Sequence, residues 1–521
     1  MRNRFCLVLT ILCFIRSGYA QIVYERHTSE VYNYLSRFAQ KGFIVFDDNI
    51  RPISKQKIKE ALDSVAMHTD KLTETERREL TFYQREFTEG VRKRILSASN
   101  ADFSIHADPI VTASYTAKGN GGNIKQKSIG LNLWGNASKH WGYQFSFQDV
   151  SLSGTGLDST YSTLESGTAT GPVLINNFTK NKQNYVEIRG HISYQFKNGS
   201  VSAGQDYLLW GYGDAGRIVL SDKAPTYPYI RFDYKPLPWL SFNYTHAWLQ
   251  SNLIDSSRSY TIPSGIFSGI REVNIAKYMA SHSIDFRLKK GLNFMVGESI
   301  IYNDRLNIGY LIPVMFFKAV DNNSSAGAIE RGSNGQFFFQ LNSRNQIKNT
   351  QLFATLFIDE IRTSVLFDSK KQRNQLGYTI GGSRTDMFGV SYLTIGAEYT
   401  RIRPFVYRNF LPAQNYTHAG YLLGDWMGNN ADRISASLRY TPLAKLKLYS
   451  RYSYIRKGGA GTLDQQYTQA TQPSFLFDFQ RSVNEFYVNA SYEYINRLYL
   501  NTSFRKLGAD QAFFIGMTYG L

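Results

Sequence analysis

The chain has 521 residues, a formal net charge of +18 and a mean hydropathy of −0.32, with 36 Tyr and 35 Phe spread through a polar sequence. This basic excess favours acidic partners, such as anionic polysaccharide or lipopolysaccharide, and argues against a general-diffusion pore. Nucleic acid also suits a basic protein, but we expect none as a partner because the chain is predicted to be exported.

The first 20 residues have the layout of a cleavable secretory signal. A basic start precedes the apolar run Phe5–Ile15, and the segment ends at Ala20, after which we predict cleavage. Both cysteines, Cys6 and Cys13, lie inside this segment. The mature chain therefore has neither a disulfide nor thiol chemistry.

Residues 21–100 show the apolar period of helices and predict a small periplasmic helical bundle. Gly42 is expected to end the first helix, Ser54 to cap the second, and Thr73 to begin the third. Glu76, three residues after Thr73, completes a capping box. The predicted apolar faces are Val31, Tyr34, Leu35 and Phe38; Ile58, Leu62 and Val65; and Leu80, Tyr83 and Phe87.

Residues 101–521 change to a period of two, as in Tyr185–Phe196, where apolar residues alternate with polar and charged ones. The chain after the signal has no apolar run long enough for a transmembrane helix, so a membrane location requires a closed barrel. Short turns such as Lys289–Gly291 alternate with long segments such as Gln250–Ala276. This predicts a mainly-β transmembrane antiparallel barrel of about 18 strands. A large soluble sandwich or propeller is the alternative, but no blade-length repeat supports it.

Several stretches then point to a known family, and together they span most of the mature chain: Val31–Leu35, Arg51–Ser54, Gly204–Gly213, Ser221–Pro225, Gly297–Tyr302 and Gly309–Pro313. These stretches resemble the Wzi family of outer-membrane capsule-assembly proteins. The resemblance implies a barrel of about 18 strands in the outer membrane. It also implies a role in attaching capsular polysaccharide to the cell surface.

Trp210, Tyr212 and Arg217 lie in a Gly-rich segment between two predicted strands. Aromatic faces beside a cation suit stacking on sugar rings and pairing with uronate or phosphate groups, so we predict that these three residues bind glycan. The alternative is that the aromatic residues belong to the girdle at the membrane interface.

The tight turn Lys289–Gly291 sets a register in which His282 lies opposite Glu298. Both residues fall on the apolar face of their strands, where an unpaired ion is costly, so we predict a structural cross-strand pair. An acid–base pair covered by a loop is the functional alternative. No catalytic residue set is defensible beyond it, and the chain is predicted not to be an enzyme.

The segment Asp304–Arg331 is too long and too apolar for a free loop, and we expect it to fold into the lumen as a constriction. The eight histidines show no ligand spacing, so neither a metal nor another cofactor is predicted.

The leading hypothesis is a monomeric outer-membrane protein, surrounded by lipid, that binds or anchors an acidic capsular polysaccharide or exopolysaccharide through its outer loops. The first alternative is a saccharide or anion channel or exporter with a basic lumen. The second is a hydrolase at the barrel rim that uses His282 and Glu298. The sequence names neither the glycan nor the periplasmic partners of the helical bundle.

Overall fold

The computed structural model describes residues 23–88, 94–100, 102–157, 177–179, 181–263, 269–325, 332–360, 374–459 and 473–520. The predicted signal segment and its cleavage after Ala20 lie outside these residues. Among them, no helix is both long and apolar enough to cross a membrane.

Three helices form the N-terminal domain: α1 (Val31–Gln40), α2 (Lys55–Ala66) and α3 (Glu74–Phe87), with a 3-10 turn at Thr69–Lys71. Their predicted apolar faces pack together in one core. Ser54 caps α2 by accepting a hydrogen bond from the Lys57 amide, and Thr73 and Glu76 form the capping box of α3. Gly42 follows α1 with a φ of +77°, which glycine adopts without strain.

A closed antiparallel β-barrel follows, and in the described chain it has the 18 strands that the turn spacing predicted. The strands are β1 Phe103–Lys118, β2 Asn123–Ala137, β3 Trp141–Ser153, β4 Lys182–Phe196, β5 Gly199–Asp206, β6 Tyr227–Leu237, β7 Leu240–Ile254, β8 Asn274–Lys289, β9 Leu292–Asn303, β10 Asn334–Arg344, β11 Thr350–Glu360, β12 Gln375–Arg384, β13 Thr394–Ile402, β14 Ala431–Leu443, β15 Leu446–Gly458, β16 Phe479–Ile495, β17 Leu498–Leu507 and β18 Asp510–Tyr519. The pairing of β18 with β1 closes the ring. Each strand therefore has a partner on both sides, as a barrel in lipid requires.

Shorter elements decorate this frame. Leu96–Ser99 pairs with β1, Asn177–Thr179 pairs with β4, and two small hairpins join Tyr260–Ile262 to Gly269–Arg271 and Thr417–His418 to Tyr421–Leu422. The connections also contain a helix, α4 (Phe317–Ser325), and 3-10 turns at Ile308–Leu311, Met387–Gly389 and Pro412–Gln414.

The two faces of the barrel wall differ as the alternating pattern predicts. On β4, Ile188 and Ile192 are exposed on the outer surface, and Ile192 has 59% of its surface accessible. Arg189 and His191, one residue along from them, are buried on the inner side. An apolar outer belt with a polar interior is the arrangement of a transmembrane barrel.

The connections are tight at one end of the barrel and mostly long at the other. Two connections at the long-loop end depart from the predicted alternation, because β1 joins β2 and β17 joins β18 through tight turns. Gly121 and Gly508 have φ of +81° and +59° in these turns. The rim is consequently low where β17, β18, β1 and β2 meet.

The prediction that Asp304–Arg331 folds into the lumen is wrong for its described residues. Tyr310 and Phe317 pack against Tyr244, Ile300 and Tyr302, whose side chains point out of the barrel wall. We call the described part of Asp304–Arg331, which lies against the lipid-facing side of the wall, the outer segment. Its exposed side is also apolar, with Val314 81% and Ile308 75% exposed. The length of an apolar stretch does not show whether it packs in the lumen or against the lipid-facing side of the wall. Apolar side chains leave water as readily for lipid as for a protein core.

The helical domain covers the end with the tight turns and is held there by buried ion pairs. Arg37 of α1 pairs with Glu76 of α3 and with Asp386 in the β12–β13 turn. Arg344 at the end of β10 donates to Asp48 at 2.7 Å and to the Phe46 carbonyl at 2.6 Å. Breaking one partner of such a pair leaves a buried charge, so these contacts fix the docking.

One segment of this domain continues into the lumen. Ile50–Arg51 forms a two-stranded antiparallel sheet with Leu209–Trp210, which belongs to the connection between β5 and β6. The Gly211 amide also donates to the Asn49 carbonyl at 2.9 Å. Backbone hydrogen bonds therefore join the helical domain directly to the interior of the barrel.

The docking should weaken in acid because of Asp48. Burial alone would raise its pKa, but Arg344 and Arg51 together lower the pKa of Asp48 to about 2. Since an unfolded aspartate has a pKa of about 3.9, this carboxylate contributes stability above that pH and loses it as the pH falls toward 2, about 2 kcal/mol in all. Hydrogen exchange of α1 amides, corrected for intrinsic rates, should show that loss between about pH 4 and pH 2.

Asp48→Asn serves as the matched variant. It should dock less tightly at neutral pH and lose the part of the acid dependence that Asp48 supplies. An unchanged acid profile in Asp48→Asn would show that this carboxylate does not hold the domain.

Candidate functional site

Two connections fill part of the lumen, and we call them together the plug: residues 207–226, between β5 and β6, and residues 403–430, between β13 and β14. They bond to each other. Tyr407 donates its hydroxyl to the Ile218 carbonyl, Trp426 donates its indole N–H to the Ala215 carbonyl, and the Ser221 amide donates to the Leu423 carbonyl, each at 2.7 Å. The shared core includes inward side chains of the wall, such as Met279 and Phe338.

Wall cations fix the plug in place. Arg433 of β14 is fully buried and donates two hydrogen bonds to the Asp425 carboxylate, at 3.0 and 2.8 Å. Lys277 of β8 donates to the Thr417 hydroxyl at 2.9 Å, and Lys457 of β15 donates to the Met427 carbonyl at 2.8 Å. Charge-assisted hydrogen bonds of this kind hold the bonded groups in one geometry. They therefore fix the plug to the barrel wall.

The plug leaves open a cavity of about 1150 Å³ in the lumen, which we call the lumenal cavity. Among its lining residues are Gly119, Asn120 and Ala509, in the two tight turns where the rim is low, and Asp510, the first residue of β18. The cavity thus opens beside the shortest connections of the long-loop end. The other lining residues used below are Arg51, Asp214, Arg217, Trp426, Arg451, Glu485, Tyr487 and Arg505.

A second cavity of about 350 Å³ lies on the side of the helical domain, where Tyr34 and Arg37 line it. The two cavities share lining residues, namely Asn33, Arg51, Gly213, Asp214, Arg217, Arg451 and Tyr487. These seven residues therefore mark the place where the spaces adjoin.

Arginine side chains line both cavities. Tyr421 and Tyr487 line the lumenal cavity, and tyrosine is frequent around the second cavity. Glu485 accepts hydrogen bonds from Arg451 and Arg505, each at 2.9 Å. Asp214 accepts one from Arg439 at 2.8 Å. Cations held in fixed positions beside aromatic rings suit an anionic, ring-shaped ligand such as an acidic sugar.

The three residues predicted to bind glycan have different surroundings. Trp210 is 2% exposed and its ring packs against Phe338, with 6.0 Å between ring centroids. Tyr212 is buried beneath the Arg344 guanidinium and lines the second cavity. Arg217 lines both cavities. The binding role of all three stays a prediction, and Arg217 has the placement that best suits it.

Residues of β15–β17 on the cavity wall were missed by the sequence reasoning. Arg451 lies on β15, and the alternation of side chains along a strand is enough to place it on the inner face. Glu485, Tyr487 and Arg505 follow the same rule on the next two strands. The alternation along a strand does not give the position of the plug. The plug determines which of the inward side chains face open space.

His282 and Glu298 lie opposite each other in the register that the turn predicted, on the outer face of the wall. Their side chains are 3.5 Å apart, and His282 also contacts the Pro313 carbonyl at 3.0 Å. Glu298 accepts hydrogen bonds from the Phe317 and Lys318 amides, at 2.9 and 2.7 Å. The carboxylate therefore caps the start of α4, where helix amides lack partners within the helix.

Within the described ranges, no group of three His, Cys, Asp or Glu side chains could hold a metal ion.

The family model described as capsule assembly protein Wzi matches residues 82–502, which is most of the chain. The chain belongs to the Wzi family of capsule assembly proteins. As a Wzi-family barrel it is an outer-membrane protein.

A solved structure of the family is that of Wzi from Escherichia coli, described as an outer-membrane protein involved in group 1 capsule assembly and as a carbohydrate-binding β-barrel. It is 12% identical, with a TM-score of 0.61, and the match covers 96% of this chain and 99% of that one. The match shows that the two share the fold.

Pseudomonas aeruginosa OpdK, solved with vanillate, is 9% identical with a TM-score of 0.45, and the match covers 80% of this chain and 98% of OpdK. No curated protein sequence matches the chain.

If Glu298 is a helix cap in this Wzi-family barrel, Glu298→Gln should loosen α4 without changing the lumen. Loss of a charged cap costs about 1 kcal/mol. Exchange of the Phe317 and Lys318 amides should therefore be about fivefold faster, measured by hydrogen–deuterium exchange in detergent. Hydrolysis of surface polysaccharide by the parent protein, abolished in Glu298→Gln, would instead support the acid–base alternative.

Proposed function

We propose that the protein binds an acidic surface polysaccharide in capsule assembly, and that a segment of the glycan enters the lumenal cavity from outside the cell. The observation that carries the proposal is the cavity lined by arginines and by Tyr421 and Tyr487, which opens at the low part of the rim. We place this rim outside the cell, with the tight turns of the other end and the helical domain facing the periplasm. A volume of about 1150 Å³ exceeds the roughly 300–1,000 Å³ of pockets for drug-sized ligands. It therefore has room for more than one sugar residue.

The lining supplies both kinds of contact that an acidic glycan needs. Tyr487 lies on the inner face of β16 with its ring partly accessible, and a sugar ring can stack on such a face. Arg451 and Arg505, held by Glu485, supply guanidinium groups for uronate or phosphate substituents. The sequence hypothesis placed binding on the outer loops, and we propose that the site continues from these loops into the cavity.

The two alternatives have weaker support. A channel or exporter requires a continuous bore, whereas the plug and the docked helical domain are bonded across the lumen. A rim hydrolase requires His282 and Glu298 to meet substrate, whereas both lie on the outer wall beneath the outer segment. We therefore propose a non-enzymatic binding protein that acts as a monomer surrounded by outer-membrane lipid.

The test is binding of the detergent-folded protein to the surface polysaccharide of its own host, over a salt series. Binding should saturate and weaken as salt rises, because exposed ionic contacts are screened. Tyr487→Ala should weaken it about fivefold through loss of about 1 kcal/mol of stacking. Calorimetric titration measures both effects.

Tyr454→Ala is the matched control, since Tyr454 lies on the neighbouring strand with its side chain on the outer face. It should bind like the parent protein. No saturable binding by the parent, together with ion conductance in a planar bilayer, would replace this proposal with the channel alternative.

We also propose that the exported chain begins at Gln21, after removal of the signal. Intact-mass measurement of protein purified from outer membranes should give the mass of residues 21–521. A mass that retains Cys6 and Cys13 would contradict cleavage at this position.

A further inference from the structure

Arg217 differs from the other arginines that line the two cavities. In the described chain, each of the others donates a hydrogen bond to a carboxylate oxygen: Arg37, Arg51, Arg344, Arg439, Arg451 and Arg505. Arg217 donates to no described residue, and its Nη1 atom is buried without an acceptor. A buried guanidinium N–H without an acceptor is costly. The position of Arg217 therefore suggests an acceptor that comes from outside the chain.

Arg51 accompanies Arg217 at the junction of the cavities. The two side chains belong to different parts of the molecule, since Arg51 follows from the helical domain and Arg217 lies in the plug. Asp48 holds Nη2 of Arg51 at 2.6 Å, and the guanidinium lies 4.5 Å from the centre of the Tyr32 ring. Nε of Arg51 is also buried without an acceptor. Arg51 is thus held in place while retaining an unused donor.

The nearby carboxylates are already engaged. Asp48 accepts from Arg344 and Arg51, at 2.7 and 2.6 Å. Asp222 lies 3.5 Å from His27 and 3.4 Å from Lys223. Burial, and next the charge of Arg51, lower the pKa of Arg217 to about 10. The carboxylates near Arg217 therefore do not fully compensate the charge of its guanidinium.

We propose that Arg217 and Arg51 form an anion subsite for an oxyanion carried by a sugar residue, either a uronate carboxylate or a phosphate substituent. The inference rests on the proposed binding of an acidic polysaccharide and locates the deepest charged group of the bound segment. Both residues line both cavities, and Arg51 is near enough for its charge to act on Arg217. Two guanidinium groups from separate elements can each bind one oxygen of such a group.

A bound anion would join the helical domain to the plug. Its charge would neutralise the repulsion between Arg51 and Arg217, and its oxygens would accept from both elements. Binding should therefore protect the Ile50–Arg51 backbone amides, which lie in the small sheet with Leu209–Trp210, from hydrogen exchange. This readout is separate from affinity.

The experiment compares the parent protein with Arg217→Gln, each titrated with the host polysaccharide and with its carboxyl-reduced form. Arg217→Gln should bind the acidic form roughly tenfold to hundredfold more weakly, as expected for loss of one charge-assisted contact. Both proteins should bind the carboxyl-reduced form equally. If the anion is phosphate, removal of phosphate from the glycan should have this effect and carboxyl reduction should have none.

Arg78→Gln is the matched control for charge, because Arg78 lies exposed on α3 and pairs with Glu74. It should bind like the parent. Arg217→Lys keeps the charge without the fork and should give an intermediate affinity. Heat-modifiable mobility on a gel reports whether each variant barrel is folded.

Equal binding of the acidic glycan by the parent and a folded Arg217→Gln would overturn the subsite and leave the proposed function standing. If the parent does not bind the glycan, the proposed function fails, and free glucuronate and inorganic phosphate test the subsite alone. Slower exchange of the Ile50 and Arg51 amides with either ion, in the parent but not in Arg217→Gln, would support the subsite. No such protection would overturn it.

Discussion

The closure of the sheet, through the antiparallel pairing of β18 with β1, is the constraint on which the rest of the molecule depends. In lipid every backbone N–H and C=O must bond within the protein, and a closed barrel achieves this without an edge. Closure also separates the two faces of each strand. The same alternation that places Ile192 against lipid places His191 in the interior.

A closed barrel of this size leaves an interior that must be filled or hydrated, and here it is divided. The plug occupies one part, fixed by the Arg433–Asp425 pair, and the helical domain reaches it through the pairing of Ile50 with Trp210. The remaining space borders β15–β18 and β1, below the tight outer turns. The plug therefore lies where the connections are long enough to fold inward, and the cavity lies where they are too short.

Much of the frame could be predicted from the sequence because local rules decide it. Period-two alternation and turn spacing predicted the strands, and the tight turn at Gly291 predicted the register of His282 with Glu298. Ser54 and Thr73 predicted helix starts, since a cap depends on residues only three positions apart.

Long-range contacts explain what sequence reasoning could not predict. The apolar residues of the outer segment fit a lumen or a lipid-facing wall equally well, and packing on Tyr244 and Tyr302 settles the choice. The burial of Trp210, which is 2% exposed, accompanies its backbone pairing with Ile50 of the helical domain, and the Gly-rich segment around Trp210 does not show that pairing. The isolation of Arg217 depends on where Asp48 and Asp222 lie and on which cations they already contact, which no local pattern encodes.

The central claim, that glycan occupies the lumenal cavity, can be tested by thiol protection, because both native cysteines lie in the predicted signal. A single cysteine at Ser114, on the cavity wall, and another at Ser257, in an exposed outer turn, would be labelled with a maleimide with and without polysaccharide. The account predicts that the glycan slows labelling of Ser114→Cys and leaves Ser257→Cys unchanged. Equal labelling of Ser114→Cys with and without saturating glycan would contradict it.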